Sequence, residues 1–540
     1  MLLAFSFVSF SQTKNYYLAY FSDKTNTPYT LTSPLDFLTQ KSIDRRSDQG
    51  YPLTELDLPV DPDYVDSLKL RTVEVTNTSR WFNAALVYAD STLVADSVQS
   101  LSFVDSVAIL SNYGISLNLR KQSRNKFASE TYKTTNTSTS NLSQLSMLEV
   151  YDMHAYGYDG DGVTIAVMDN GFSNVDIRVG FSDLFTNNQI LGTYDFVNHE
   201  TNVYNDGSHG TFVLSVIGGK NGEDNLGAAP NSHYYLYKTE DDGSEFPIEE
   251  INWLLALERA ESLGVDIVNT SLGYYDFDDP YFNYTYQDTD GKTAYSSKAA
   301  RIAARTGMLL VNSAGNEGNN SWQYVTFPAD ADSVLSIGAV NSSGKYASFS
   351  SIGPTIDNRI KPNVVAQGDP ALVLSNAGDY TVYADGTSFS TPLITGFAAA
   401  IWEAYDTLTN MQLKQLIEQA GSDYHSPTAQ LGYGIPTFSQ IQINMILNEY
   451  EGVLVEPAKI TPNPVSDGNL LIFVPAQDIG NEATILISDS KGNEIYKETV
   501  TFTSELYISE FDYANVEAGL YYLRVFSKGY SKGIKVLKVE

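Results

Sequence analysis

The chain contains no cysteine. That absence excludes structural disulfides, thiolate metal sites and a cysteine nucleophile together. Histidine is scarce: His154, His199, His209, His233 and His425 are all that 540 residues hold, so imidazole chemistry has few candidates. Positive charge is also short. Lys and Arg number 33 against 65 Asp and Glu, a formal net charge of −32, which argues against binding nucleic acid or an anionic membrane. Solubility outside the cell is the simpler use of such a charge. No apolar run is long enough to span a bilayer. What is present is enough for real cores, with 42% apolar residues and a length that predicts two to four folded units.

Met1–Ser11 is an apolar run followed by small residues, which predicts a signal peptide over 1–11 with a truncated basic start. Residues 12–112 alternate short apolar runs with turns and predict a small α+β domain. A linker is expected over 113–145, where 126–141 is loaded with Ser, Thr, Asn and Lys. From 146 to 450 the pattern changes. Val163–Met168, Val265–Val268, Met308–Val311 and Val334–Ile337 are apolar runs of strand length, as in parallel sheets. Between them Ile248–Leu263, Lys298–Thr306 and Pro392–Tyr405 read as helices. That alternation predicts an α/β domain with a doubly wound parallel sheet. Residues 455–540 show only short β runs, Leu470–Val474, Thr484–Ile487, Leu520–Phe526 and Ile534–Val539, broken by turns such as Asp489–Gly492. A β-sandwich is the expectation there.

Four polar residues stand at strand ends or helix starts of the middle domain. Asp169 follows the Val163–Met168 strand, and His209 lies in Gly207-Ser-His-Gly-Thr211 ahead of an apolar stretch. Asn316 lies in Ala314-Gly-Asn-Glu-Gly318, and Ser388 lies in Gly386-Thr-Ser-Phe-Ser-Thr-Pro392 before an apolar helix. Ligands of open α/β sheets bind outside the carboxyl ends of the strands, so these four can converge. Their chemistry is complementary. A serine hydroxyl needs an imidazole to take its proton, and a buried carboxylate fixes the imidazole tautomer. An asparagine amide beside a backbone N–H can hold an oxyanion. Asp159-Gly-Asp161-Gly162 and Asp288-Thr-Asp290-Gly291 offer oxygen atoms at alternate positions, as calcium loops do. Neither continues to a glutamate at the spacing of an EF-hand, so turns are predicted.

The ordered motifs Asp169-Asn170-Gly171, His209-Gly210-Thr211, Ser271-Leu272-Gly273, Ala314-Gly-Asn316-Glu-Gly318 and Gly386–Pro392 resemble those of subtilisin-like serine proteases. The resemblance implies a subtilisin-like fold and a secreted serine endopeptidase working through an acyl-enzyme. It makes Asp169, His209 and Ser388 the triad, Asn316 the oxyanion donor, and Ser271, Leu272 and Gly273 the edge that pairs with extended substrate. Phe212 and Phe389 depart from the family pattern, which often has a second histidine and a methionine there. The N-terminal domain resembles a protease propeptide that chaperones folding and inhibits the enzyme. Pro462-Asn-Pro464, Lys491-Gly492, Gly519-Leu-Tyr-Tyr522 and the Lys535-Val536 strand resemble the type IX secretion sorting domain of Bacteroidetes. The partners implied are polypeptide substrates, the chain's own propeptide and the type IX machinery, with no nucleic acid and a monomeric state. No cofactor is required for the chemistry, and structural calcium is an expectation with no metal ligand assigned. The protein is expected to be secreted or attached to the cell surface.

Overall fold

The computed structural model describes residues 14–71, 73–113, 132–134, 142–449, 459–461, 463–465, 469–474, 479–504, 506–527 and 530–539. The predicted signal peptide, 1–11, lies outside them. The chain divides into two compact units, Met1–Phe438 and Ser439–Glu540.

The first unit begins with a four-stranded antiparallel sheet of β1 (Asn15–Phe21), β2 (Glu74–Ser79), β3 (Ala84–Ala89) and β4 (Val104–Ile109), in the order β2-β3-β1-β4. Its two central strands are buried on both faces. Tyr17, Ala19, Phe21, Ala85 and Val87 point into the domain's own core with Val60, Leu68 and Val94. The alternate residues Leu18, Ala84 and Leu86 share a second core with Trp253, Leu254 and Leu257 of the Ile248–Leu263 helix. Period-two alternation thus gives each strand two hydrophobic faces, and the outer one is completed by the next domain. The helix Gln40–Asp48 and the β2–β3 turn carry charge into the same interface. Arg46 Nε donates to Glu261 Oε1 at 2.8 Å, Arg45 lies 3.7 Å from that oxygen, and Arg80 pairs with Glu261 Oε2. Burial pushes the Glu261 carboxyl up, but the guanidinium groups of Arg80, Arg46 and Arg45 outweigh it and hold the group below its ordinary value. One turn earlier, Glu258 accepts from Ser79 Oγ at 2.5 Å and from the N–H groups of Arg80 and Trp81, both at 3.1 Å. For Glu258, burial wins and raises the pKa.

Beyond this domain lies β5 (Tyr132–Thr134), inside the stretch expected to be linker. The central sheet then holds β6 (Thr164–Asp169) and β7 (Ile190–Asp195). A small hairpin, β8 (Lys220–Asn221) and β9 (Asp224–Asn225), stands apart from that sheet. β10 (His233–Lys238), β11 (Ile267–Thr270), β12 (Leu309–Ser313), β13 (Val334–Asn341) and β14 (Val364–Asp369) complete it. All seven strands are parallel, in the order β14-β13-β12-β11-β6-β10-β7. Every residue of β6, β11 and β12 is buried, which is why they read as unbroken apolar runs in the sequence. The chain goes to one side of β6 for β7 and β10 and to the other for β11 to β14, so the topological switch falls at the carboxyl end of β6. A separate antiparallel sheet joins β15 (Ala371–Leu374), β16 (Thr381–Ala384) and β5.

The second unit is a β-sandwich. One sheet holds β17 (Lys459–Thr461), β18 (Asn469–Phe473) and β21 (Leu506–Asp512). The other orders β20 (Glu494–Thr501), β19 (Glu482–Ser488), β22 (Gly519–Ser527) and β23 (Tyr530–Lys538). Leu470, Ile472, Ile485, Ile487, Leu523, Val525 and Val536 form the core. Asp489 makes the β19–β20 turn by accepting from the N–H groups of Lys491 at 2.8 Å and Asn493 at 2.9 Å. Asn463 acts as a strand in miniature. Its Nδ2 donates to the Lys535 carbonyl at 2.7 Å and its Oδ1 accepts from the Leu537 N–H at 3.0 Å.

Candidate active site

Asp169 is the last residue of β6 and fully buried. Its Oδ1 accepts from His209 Nδ1 and from the Asn170 N–H, each at 2.8 Å. A carboxylate in that position holds a proton on Nδ1 and leaves Nε2 to act as a base. His209 is the first residue of the His209–Gly218 helix, and its own N–H donates to Asn170 Oδ1 at 3.1 Å. The helix can start this close to the strand end because residue 210 is glycine. A Cβ there would lie 2.9 Å from both Asp169 Cβ and the Phe172 ring, and closer still to the Gly171 carbonyl oxygen.

Ser388 is the second residue of the Thr387–Ala404 helix and 3% exposed. The sequence places the start of that helix at Pro392; the structure starts it at Thr387, five residues earlier. A proline so placed cannot donate to the carbonyl four residues back. That carbonyl belongs to Ser388, and Ser271 Oγ donates to it at 2.9 Å, supplying the missing bond. The Ser388 hydroxyl faces the Ser271 carbonyl oxygen at 3.4 Å. The first-turn N–H groups of a helix are unsatisfied and carry positive partial charge, so this is a site where negative charge is favoured.

Asn316, half-buried on the loop after β12, is oriented by Thr387. Its Oδ1 accepts from both the N–H and the Oγ1 of Thr387 at 2.9 Å. Among the described residues its Nδ2 donates to nothing, which leaves an N–H₂ beside the start of the Ser388 helix. Ser271, Leu272 and Gly273 directly follow β11. The Leu272 carbonyl is taken by Asn312 Nδ2 at 3.0 Å and Ser313 Oγ at 3.2 Å, which fixes the segment. The backbone of Gly273 makes no hydrogen bond among the described residues. A Cβ at 273 would lie 2.9 Å from Thr326 Cβ, so glycine lets the edge pack against Thr326.

The seven residues singled out in the sequence thus lie on the loops and helix starts at the carboxyl ends of β6, β11 and β12 and at the head of the Ser388 helix. Asn170 and Thr387 were not assigned roles, although both stand inside the quoted motifs. Phe389 was seen only as a departure, yet its ring lies 5.9 Å from that of His209. His154 meets the Ala228 carbonyl at 3.0 Å and His199 meets Asn77 at 3.3 Å, so neither joins this group. The Asp290 carboxylate accepts from the N–H groups of Lys292 at 2.7 Å and Thr293 at 2.8 Å, and Asp288 closes a capping box with Thr285. Asn231 Nδ2 occupies Asp159 Oδ2 at 2.7 Å. The carboxylates of Asp159, Asp288 and Asp290 are thus engaged within turns. Among the described residues no three His, Asp or Glu side chains cluster as metal ligands. No helix among them is long and apolar enough to cross a membrane.

A serine at a helix start, a buried carboxylate–imidazole pair and an open strand edge on a doubly wound parallel sheet define the architecture of a subtilisin-like protein. The chain belongs to the subtilase family, peptidase family S8, whose model matches residues 160–435. A Bacteroidota peptidase S8 propeptide domain matches 16–129 and a secretion system C-terminal sorting domain matches 459–539. Subtilisin of Bacillus pumilus is 33% identical over 284 residues, 52% of this chain and 90% of that protein. Subtilisin NAT of Bacillus subtilis subsp. natto is also 33% identical, and this chain spans 65% of its length. Among solved structures, the MycP3 protease from the type VII (ESX-3) secretion system shares 20% identity, with 57% of this chain and 91% of that chain covered and a TM-score of 0.47. The sorting domain marks the protein for type IX secretion, to be released or held at the cell surface.

Proposed function

We propose that the protein is a serine endopeptidase of polypeptides, made as an inactive pro-form. Ser388 Oγ attacks the scissile carbonyl while His209 Nε2 takes the proton. Asp169 holds the imidazole in the productive tautomer and stabilises the imidazolium. Asn316 Nδ2 and the Ser388 N–H receive the oxyanion. Collapse of the tetrahedral intermediate expels the amine, which takes its proton from His209, and water then hydrolyses the acyl-enzyme. Substrate lies extended along Ser271–Gly273 as an added strand, an arrangement supported by the unpaired backbone of Gly273. The N-terminal domain serves as chaperone and inhibitor until it is removed.

The observation that carries this reading is the buried Asp169–His209 pair at 2.8 Å beside the head of the Ser388 helix. Labelling of the purified protein with a fluorophosphonate probe tests it. A single adduct on Ser388, lost in Ser388→Ala, is expected. Failure of the mature wild-type protein to label, with no cleavage of a diverse peptide library, overturns the reading.

A further inference from the structure

The strand β5 is short, yet it lies next to the chemistry. It pairs antiparallel with β16, Thr134 opposite Val382 and Tyr132 opposite Ala384. β16 runs directly towards the nucleophile, and Ala384 stands four positions before Ser388. Because the pairing is antiparallel, each step from Thr134 back to Tyr132 moves one step closer to Ser388 along β16. The Tyr132 side chain lies on two aromatic rings. Its centroid is 4.8 Å from that of Phe212 and 6.4 Å from that of Phe389, the latter edge-on at 79°. Phe389 in turn lies 5.9 Å from the His209 ring, and Phe212 is the fourth residue of the helix that His209 starts. Phe212 and Phe389 are 7% and 0% exposed, whereas Tyr132 is 41% exposed. A half-exposed tyrosine therefore rests on a fixed aromatic floor beside the proposed general base.

We propose that Phe212 and Phe389 form an aromatic subsite for the leaving-group side of the scissile bond. Tyr132 fills that subsite in the unprocessed chain, and self-cleavage falls on the N-terminal side of Tyr132. The inference rests on the endopeptidase reading. In the self-cleavage step the Ser388 oxygen bonds to the carbonyl carbon, the C–N bond breaks, and the new amine carrying Tyr132 leaves with the proton from His209. Water later regenerates the Ser388 hydroxyl and frees the carboxylate of the N-terminal fragment. The product strand is retained by its pairing with β16, so the new N-terminus stays attached beside the site it came from.

The geometry sets the expected result. Intact mass and N-terminal sequencing of the matured wild-type protein should place the new terminus at Tyr132 or up to about four residues before it, the distance that Ala384 stands from Ser388. A terminus after Tyr132, or one more than about four residues before it, overturns the proposal while leaving the endopeptidase reading intact. A second measurement needs no change to the enzyme. A peptide of residues 125–137 should lose roughly tenfold in kcat/KM when its tyrosine is replaced as in Tyr132→Gly, the worth of a good aromatic contact. Phe389→Ala should shrink that ratio to about twofold, since the floor that recognises the ring is gone. An unchanged ratio in Phe389→Ala and in Phe212→Ala refutes the subsite. If no peptide is cut and Ser388 does not label, the endopeptidase reading itself falls, and this inference with it.

Discussion

Ser271 Oγ donates to the backbone carbonyl of Ser388 at 2.9 Å, the carbonyl that Pro392 cannot reach with an N–H. One hydrogen bond thus ties the strand edge after β11 to the residue at the head of the Thr387–Ala404 helix. Ser271→Ala should leave that buried carbonyl unsatisfied and cost about 1–3 kcal/mol. In a Pro392→Ala background the helix can make its own bond, and the same change should cost less than about half as much. Thermal unfolding of the four proteins of this cycle gives the coupling; purely additive losses would contradict it.

Removal of the proposed nucleophile Ser388 or of the proposed oxyanion donor Asn316 should affect turnover rather than binding. On subtilisin, a relative of this chain, loss of the nucleophile or base costs on the order of 10⁶ in kcat and loss of one oxyanion-hole donor about 10²–10³. Ser388→Ala and Asn316→Ala are expected to fall in those ranges with KM changed by less than about threefold. Steady-state kinetics on a chromogenic peptide checks this. An Asn316→Ala enzyme within about twofold of wild type in kcat would remove Asn316 from the mechanism.

The propeptide interface should depend on one carboxylate. Glu261 is paired with Arg45, Arg46 and Arg80. Glu261→Gln removes the carboxylate that Arg45 and Arg80 pair with and leaves Arg46 only Asp57, and breaking buried pairs in this way costs about 3–5 kcal/mol. In the uncut Ser388→Ala background the unfolding temperature should drop sharply, and limited proteolysis should release the N-terminal domain. A shift smaller than about 1 kcal/mol would mean that the apolar face of β1 and β3 alone holds the two together.

Asp330 predicts a pH dependence with a definite sign. Burial raises its carboxyl to about 6, against the opposing hydrogen bonds from Ser297 and Gly291 and the charges of Lys361 and Arg359. A carboxyl raised on folding binds its proton more tightly in the folded state. Its contribution is therefore complete below the unfolded value near 4 and is lost as pH rises through about 6. Asp330→Asn removes the titration. The variant's unfolding temperature minus the wild type's should become more positive between pH 4 and pH 7, by the equivalent of about 2–3 kcal/mol. A difference that stays flat across that range would show that Asp330 does not titrate there.

In the sorting unit, Asn463→Ala removes both bonds that Asn463 makes to β23. A loss of about 1–3 kcal/mol is expected, confined to the unfolding of residues 459–539. Differential scanning calorimetry on the full chain checks it: a shift in the transition of the protease unit instead would be the wrong outcome.

The elements most legible in the sequence were strands with both faces buried. β6, β11 and β12 fall close to their expected positions because their apolar runs leave no other period to read. β20 was invisible, since its residues alternate between exposed and half-buried and form no apolar run. The early start of the Ser388 helix was hidden because its compensation, Ser271, is 117 residues away. The charged residues Arg45, Arg46, Arg80, Glu258 and Glu261 sit on helices and a turn where a sequence gives every reason to expect solvent. Only the docked domain shows that they face each other. At the site, residue types and order were legible in the motifs, but the Phe212–Phe389–Tyr132 stack joins three distant segments and has no local signature.

The ion cluster at the propeptide interface is divided by ownership: every cation comes from the N-terminal domain, which also supplies Asp57, while Glu258 and Glu261 come from the other. Departure of the N-terminal domain would turn a neutral interior into a hydrated acidic patch on an already anionic molecule. Re-docking would then require stripping water from two carboxylates before any guanidinium reaches them, a barrier absent when the domains fold together from one chain. Maturation would work as a ratchet, with the return step slowed by solvation rather than by any change in the shape of the surfaces.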